Sequence, residues 1–257
     1  MEAASSHKAM TTKVLVVASL LTGLSIILTR FFSVIVPLAG LPALRIGIGS
    51  IPIIISGILF GPFAGGLTGI VADLVGCMVN PQGTYFPGFT LSAALYGIIP
   101  GLIYTMIIKK KIRFNFLYIN IGSMLFLVFG VIYIMFERNV LKLSAGQLFL
   151  YDKELSLIYL IMFSLILCAF IALPIMVNKN NKAVNKIYTM DKILFIVTIT
   201  YMIISLGLNT LWLSIMFNKG FLIFLPGRIL SGIVIIPIYS SIIFSLTKIF
   251  KHLKTSY

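Results

Sequence analysis

Apolar runs long enough to cross a lipid bilayer dominate this chain and fix its class before any other feature is considered. A hydrocarbon core needs about 20 consecutive apolar residues per helix. A chain of 257 residues that is 60% hydrophobic and only 10% charged supplies such runs repeatedly. Eight spans are expected, at 13–36, 46–60, 63–79, 89–108, 115–136, 156–177, 192–214 and 225–248. The expected fold is an all-α integral membrane protein, one membrane domain with little soluble mass.

In such a chain a net charge of +14 speaks of topology before nucleic acid, and no nucleic-acid partner is expected. The basic residues collect at alternate ends of the spans. Lys8 and Lys13 precede the first, and Lys109, Lys110, Lys111 and Arg113 separate the fourth from the fifth. Lys179, Lys182, Lys186 and Lys192 separate the sixth from the seventh, and Lys248, Lys251 and Lys254 follow the eighth. The connection ERNVLKLSAGQLFLYDKELS, with Glu137, Arg138, Asp152, Lys153 and Glu154, is nearly neutral and reads as a solvated face. Positive charge inside then makes both termini cytoplasmic in a multi-pass cell-membrane protein. The start, MEAASSHKAMTTK, does not read as a signal peptide. Cys77 and Cys168 lie in apolar runs without metal-ligand spacing, and His7 and His252 lie in polar tails. No metal, cofactor or catalytic histidine is expected.

One interruption stands out. Val79 to Gly97 reads VNPQGTYFPGFTLSAALYG. Asn80, Pro81, Gln82 and Gly83 end a helix, and Thr90 suits the N-cap of the next. Between them Tyr85, Phe86 and Phe89 place three rings beside Pro87 and Gly88. The charge pattern puts this loop outside. It reads either as a pocket wall or as an interfacial aromatic belt.

Ionisable groups at membrane depth are expensive and mark function by default. Asp73 stands far from any span end, while Arg30, Arg45 and Arg228 fall in the external third. Asn209 and Trp212, in LNTLWLS, share that depth. One carboxylate, three guanidinium groups, an amide and an indole therefore lie level with the aromatic loop. Arginine grips carboxylates with a planar fork, aromatic faces sandwich a flat ring, and Asp with Asn reads a donor–acceptor edge. A flat heterocycle bearing carboxylates suits the set. The competing readings are snorkelling for Arg45 and Arg228 and an Arg30–Asp73 ion pair. For Asn209 and Trp212 they are an interhelical bond and an interfacial anchor. Gly65 and Gly69 have the GxxxG spacing of closely packed helices. Ala18, Ser19, Thr22, Gly23 and Ser25 give the first span a small-residue face for docking, within the chain or on a partner.

The blocks LRIGIGSIPIIISGILFGPFAGGLTGIVADLVG, YFPGFTLSAALYGIIPGLIY, LNTLWLS and LPGRIL resemble the folate-specific S component of energy-coupling factor (ECF) transporters. The likeness covers 13–109 and 191–251, leaving 110–190 as an inserted two-helix hairpin. The resemblance implies an S-component-like six-helix bundle plus two inserted transmembrane helices. It also implies a vitamin-capture subunit that meets a transmembrane scaffold and two ATPase subunits, with release by toppling within the membrane. Leu38 to Arg45 and Asn80 to Phe89 correspond to its two loops over the pocket. Its helix-one AxxxA motif, which meets the scaffold, reads here as Ala18-xxx-Thr22.

Three functions are then open. The first is folate capture. The second is capture of another flat vitamin, riboflavin, biotin or thiamin. The third is intramembrane catalysis by Asp73, against which stands the need of an aspartyl dyad for two carboxylates. The phosphate-loop pattern GxxxxGK[ST] is absent, so ATP hydrolysis is expected on partner subunits.

Overall fold

A computed structural model of the chain describes residues 12–38, 40–109, 116–137, 141–144, 147–150, 153–154, 172 and 189–254. Helix α1 (Thr12–Arg30) ends six residues before the expected end of its span. The chain then turns to strand, because Val34, Ile35 and Val36 are β-branched and Pro37 cannot continue a helix. Strands β1 (Ser33–Leu38) and β2 (Leu41–Gly47) form an antiparallel hairpin with Leu38 opposite Leu41 and Ile35 opposite Arg45. Gly40 takes the positive φ of 78° that this two-residue turn requires. Register slips between Val36 and Pro37, where two prolines face each other without an N–H to exchange. The first two expected spans thus become a helix, a β-hairpin and the short helix α2 (Ser50–Phe60).

Nine of the eleven residues of α2 are buried, including Ile54, Ile55 and Ile58. A helix apolar on every side belongs inside a bundle rather than in lipid. It packs against α1, against α3 (Pro62–Val79), against α4 (Pro87–Lys109) and against the last helix. Gly61, at φ 92°, and Pro62 make the joint between α2 and α3 a single residue long. A Cβ at Gly65 would lie 2.6 Å from Gly57 Cα and 2.7 Å from the Gly97 carbonyl oxygen. The α2–α3–α4 seam therefore closes backbone to backbone, as the GxxxG spacing suggests. Ser56 and Thr68 bridge it at 2.9 Å.

Helix α5 (Leu117–Glu137) precedes three short strands, β3 (Leu141–Ser144), β4 (Gln147–Leu150) and β5 (Lys153–Glu154). The expected sixth span, 156–177, falls outside the described residues. The seventh is α6 (Met190–Tyr201), a π-helical segment π1 (Met202–Leu208) and α7 (Asn209–Phe217) in one continuous run. Asn218, left-handed at φ 48°, ends it, and α8 (Phe221–Lys254) completes the chain. Six described helices are long and apolar enough to cross a membrane. The fold is mostly helical, and its strands belong to connections between helices.

Candidate functional site

One cavity of about 800 Å³ opens between the hairpin, the 81–86 loop and helices α1, α3, α4, α7 and α8. Its size is that of a site for a drug-sized ligand. Arg30, Arg45, Asp73, Tyr85, Phe86, Phe89, Asn209 and Arg228 all line it, so the shared depth read from the sequence corresponds to one chamber. Thr90 and Trp212 stand outside the lining and act through neighbours. Trp212 donates from Nε1 to Ser92 Oγ (3.1 Å) and backs Phe86, ring centroids 5.8 Å apart. Phe86 meets Phe89 edge-on at 5.9 Å. Gly88 makes this stack possible, since a Cβ there would come within 2.6 Å of both the Phe86 and Trp212 rings.

Arg30 and Asp73 form the first polar cluster. Arg30 Nη2 lies 3.3 Å from Asp73 Oδ1 and donates to Cys77 Sγ at 3.0 Å, while Nη1 reaches the Asn80 carbonyl at 3.4 Å. The guanidinium rests on Gly76, whose Cβ would press within 2.7 Å of Nε. The Arg30 carbonyl accepts from Asn80 Nδ2 (3.2 Å) and Gln82 Nε2 (2.8 Å). Asp73 Oδ2 accepts from Thr90 Oγ1 at 2.7 Å, and the Tyr85 hydroxyl lies 3.0 Å from that oxygen. Thr90 is therefore not the N-cap the sequence suggests. Helix α4 begins three residues earlier at Pro87, whose fixed φ suits a first turn, leaving the threonine hydroxyl free for Asp73.

Arg228 forms the second cluster and is 5% exposed. Nη2 donates to the Ala43 carbonyl (2.9 Å), and Nη1 to the Ser205 carbonyl (3.1 Å) and hydroxyl (3.2 Å). These partners are neutral oxygens, and Nε is buried without one among the described residues. The π segment supplies the Ser205 carbonyl: the Asn209 N–H reaches back five residues to Ile204, and Thr210 and Arg228 both donate to Ser205. Such insertions often mark functional positions in helices. Asn209 follows it directly, and its Oδ1 is likewise buried without a described partner.

Tyr96, Tyr201 and Tyr239 line the same cavity and were not singled out in the sequence. Tyr201 donates to the Arg228 carbonyl at 2.8 Å and Tyr239 to the Gly47 carbonyl. Their signal was available: tyrosines far from helix ends carry a hydroxyl that needs an internal partner. Arg45 belongs to β2, lines the cavity and is exposed. Ala18 and Thr22 are buried, at 7% and 8%, on the face that α1 turns to the bundle. The exposed small residue on that helix is Ser19.

The lining carries three guanidinium groups against one carboxylate, an excess of two positive charges. A chamber with this balance, walled by aromatics, has the charge and the flat faces that suit an anionic ring compound. The model for the substrate-specific component of ECF transporters matches residues 13–178. The chain belongs to that family. Membership makes it a component of a transporter rather than an enzyme. A stretch of 115 residues is 36% identical to the folate transporter FolT of Clostridium novyi (strain NT). It covers 45% of this chain and 62% of that protein, so the match spans less than two thirds of the relative. A crystal structure of FolT bound with folic acid superposes with a TM-score of 0.50 over 90% of each chain at 22% identity. At that identity the likeness concerns the fold.

Proposed function

We propose that this chain captures folate from outside the cell for an ECF-type transporter. One observation carries the reading: among the described residues the charges lining the cavity are Arg30, Arg45, Arg228 and Asp73, and the charges of Arg30 and Asp73 offset each other. Two guanidinium groups remain, matching the two carboxylates of a glutamate tail. The pterin packs against Phe86, Phe89 and Tyr96, with Asn209 Oδ1 accepting from its edge. Arg228 holds one carboxylate in the buried wall, and Arg45 steers the other at the mouth. A cationic vitamin such as thiamin meets the wrong sign of charge.

The curated relative's name supports folate over other flat vitamins. Further features of the reading are a transmembrane scaffold and two ATPase subunits as partners, cytoplasmic termini, and eight spans with 110–190 inserted. In support of the insertion, α4 packs directly on α6 and α7, while α5 packs on α6 and α8 and none of its described residues lines the cavity. Equilibrium binding of radiolabelled folate to the purified chain tests the proposal, with riboflavin, biotin and thiamin as competitors. Micromolar or tighter affinity displaced only by folates is expected; no binding, or displacement by another vitamin, overturns it.

A further inference from the structure

The Arg30–Asp73 pair sits in the cavity wall, yet its bonds run to the chain rather than into open space. Both Asp73 oxygens are engaged, Oδ1 by Arg30 and Oδ2 by Thr90. Arg30 is the last residue of α1, three residues before the hairpin starts, and Ser33 ties back to the Thr29 carbonyl. The same arginine grips the other cover. Its carbonyl receives Asn80 and Gln82, and its Nη1 reaches the Asn80 carbonyl. Through Asp73 it connects to Thr90 in the first turn of α4, and through Thr90 to Tyr85.

We propose that Arg30, Asp73 and Thr90 are positioning residues. They tie the 33–47 hairpin and the 80–86 loop into one unit, so that both covers open together. This rests on reading the cavity as the substrate site. Each oxygen of this carboxylate is held by a donor of the chain itself, and an ion pair spanning α1 and α3 is well placed to hold two connections in register. Because the network is made of the chain's own groups, it acts equally on the empty and filled site. Loosening it lowers the barrier to opening and leaves the affinity nearly in place.

The test uses Thr90→Val, which keeps shape and removes the donor to Asp73, and Asn80→Ala, which removes one tie to the Arg30 carbonyl. Neither residue lines the cavity. In the full chain, folate association and dissociation rates are each expected to rise about ten-fold for Thr90→Val, the worth of one charge-assisted hydrogen bond, and about five-fold for Asn80→Ala, whose bond joins neutral groups. The Kd should stay within about three-fold. A direct ligand role for Asp73 would instead raise Kd through dissociation alone, and that outcome overturns the proposal, as do unchanged rates in both variants. A second measurement needs no folate. Cys77 lines the cavity under Arg30, so in a Cys168→Ser background its alkylation by a membrane-impermeant maleimide reports opening of the empty protein. Labelling should accelerate in each variant by the factor seen in its folate rates, and unchanged labelling sinks the coupling. Should the unaltered chain fail to bind folate while labelling accelerates, the functional reading falls and the coupling stands.

Discussion

Replacing Arg228 with Met separates a carboxylate receptor from a merely buried arginine. Methionine roughly fills the aliphatic volume while removing the fork. Breaking a buried, hydrogen-bonded charge pair across an interface costs about 2–5 kcal/mol. At 1.4 kcal/mol per decade, folate binding should weaken about 30- to 3,000-fold. The substitution also strips a donor from the Ala43 carbonyl and from Ser205. An unmade buried hydrogen bond costs about 1–3 kcal/mol, so the melting temperature should fall as well. Two comparisons isolate the ligand effect. Arg228→Lys keeps the charge but loses the bidentate geometry, and should bind folate more weakly than the parent and more tightly than Arg228→Met. A pterin lacking the glutamate offers no tail carboxylate, so its affinity should change far less than that of folate. Equilibrium binding of both ligands to the three proteins decides the matter. Equal losses for folate and for the pterin in Arg228→Met would mean that the arginine holds only Ser205 and Ala43 in place, and the carboxylate assignment would be refuted.

Arg45→Gln should act mainly on the association rate, with an effect that shrinks as ionic strength rises, because an exposed charge at a cavity mouth steers rather than grips; stopped-flow binding at several salt concentrations checks it. Gly97→Ala should lower thermal stability by about 1–3 kcal/mol, because the added Cβ overlaps the Gly65 carbonyl, whereas Gly122→Ala, facing open space on α5, should raise it by about 0.5–1 kcal/mol in the same melt. Trp212 is the single tryptophan and packs on Phe86 behind the cavity wall, so folate binding should change its emission; an unchanged spectrum at saturation would place the ligand elsewhere.

The residues of the cavity were more legible than the backbone that carries them. Charge at membrane depth is so costly that Arg30, Asp73 and Arg228 announce themselves without any knowledge of contacts. The sequence could not divide them into roles. Arg30 and Arg228 are equally buried, but one faces Asp73 across α3 and the other faces only carbonyl and hydroxyl oxygens, a difference made by packing of distant segments. The hairpin was misread because apolar strand and apolar helix share composition. Ser33–Leu38 is too short and too apolar for a period of two to show, and its β-branched run was absorbed into the preceding helix. The π segment has no sequence signature of its own: MIISLGL differs little from its neighbours, yet the extra residue it inserts supplies the Ser205 carbonyl to Arg228.

Burying an arginine with no carboxylate beside it is tolerable only if its donors are otherwise met, and this fold meets them with backbone. Ala43 belongs to the hairpin and Ser205 to the π segment, so the empty site is held by two irregular elements converging on one guanidinium. A carbonyl in a regular helix already accepts a bond from four residues along and has only its second lone pair to offer. The two irregular elements thus help to hold an uncompensated charge inside an apolar bundle. Such a charge is held by neutral dipoles strong enough to keep it in place, and its excess charge is left to an arriving anion. Helix α5 packs on α6 and α8, and none of its described residues lines the cavity between Ala43 and Ser205.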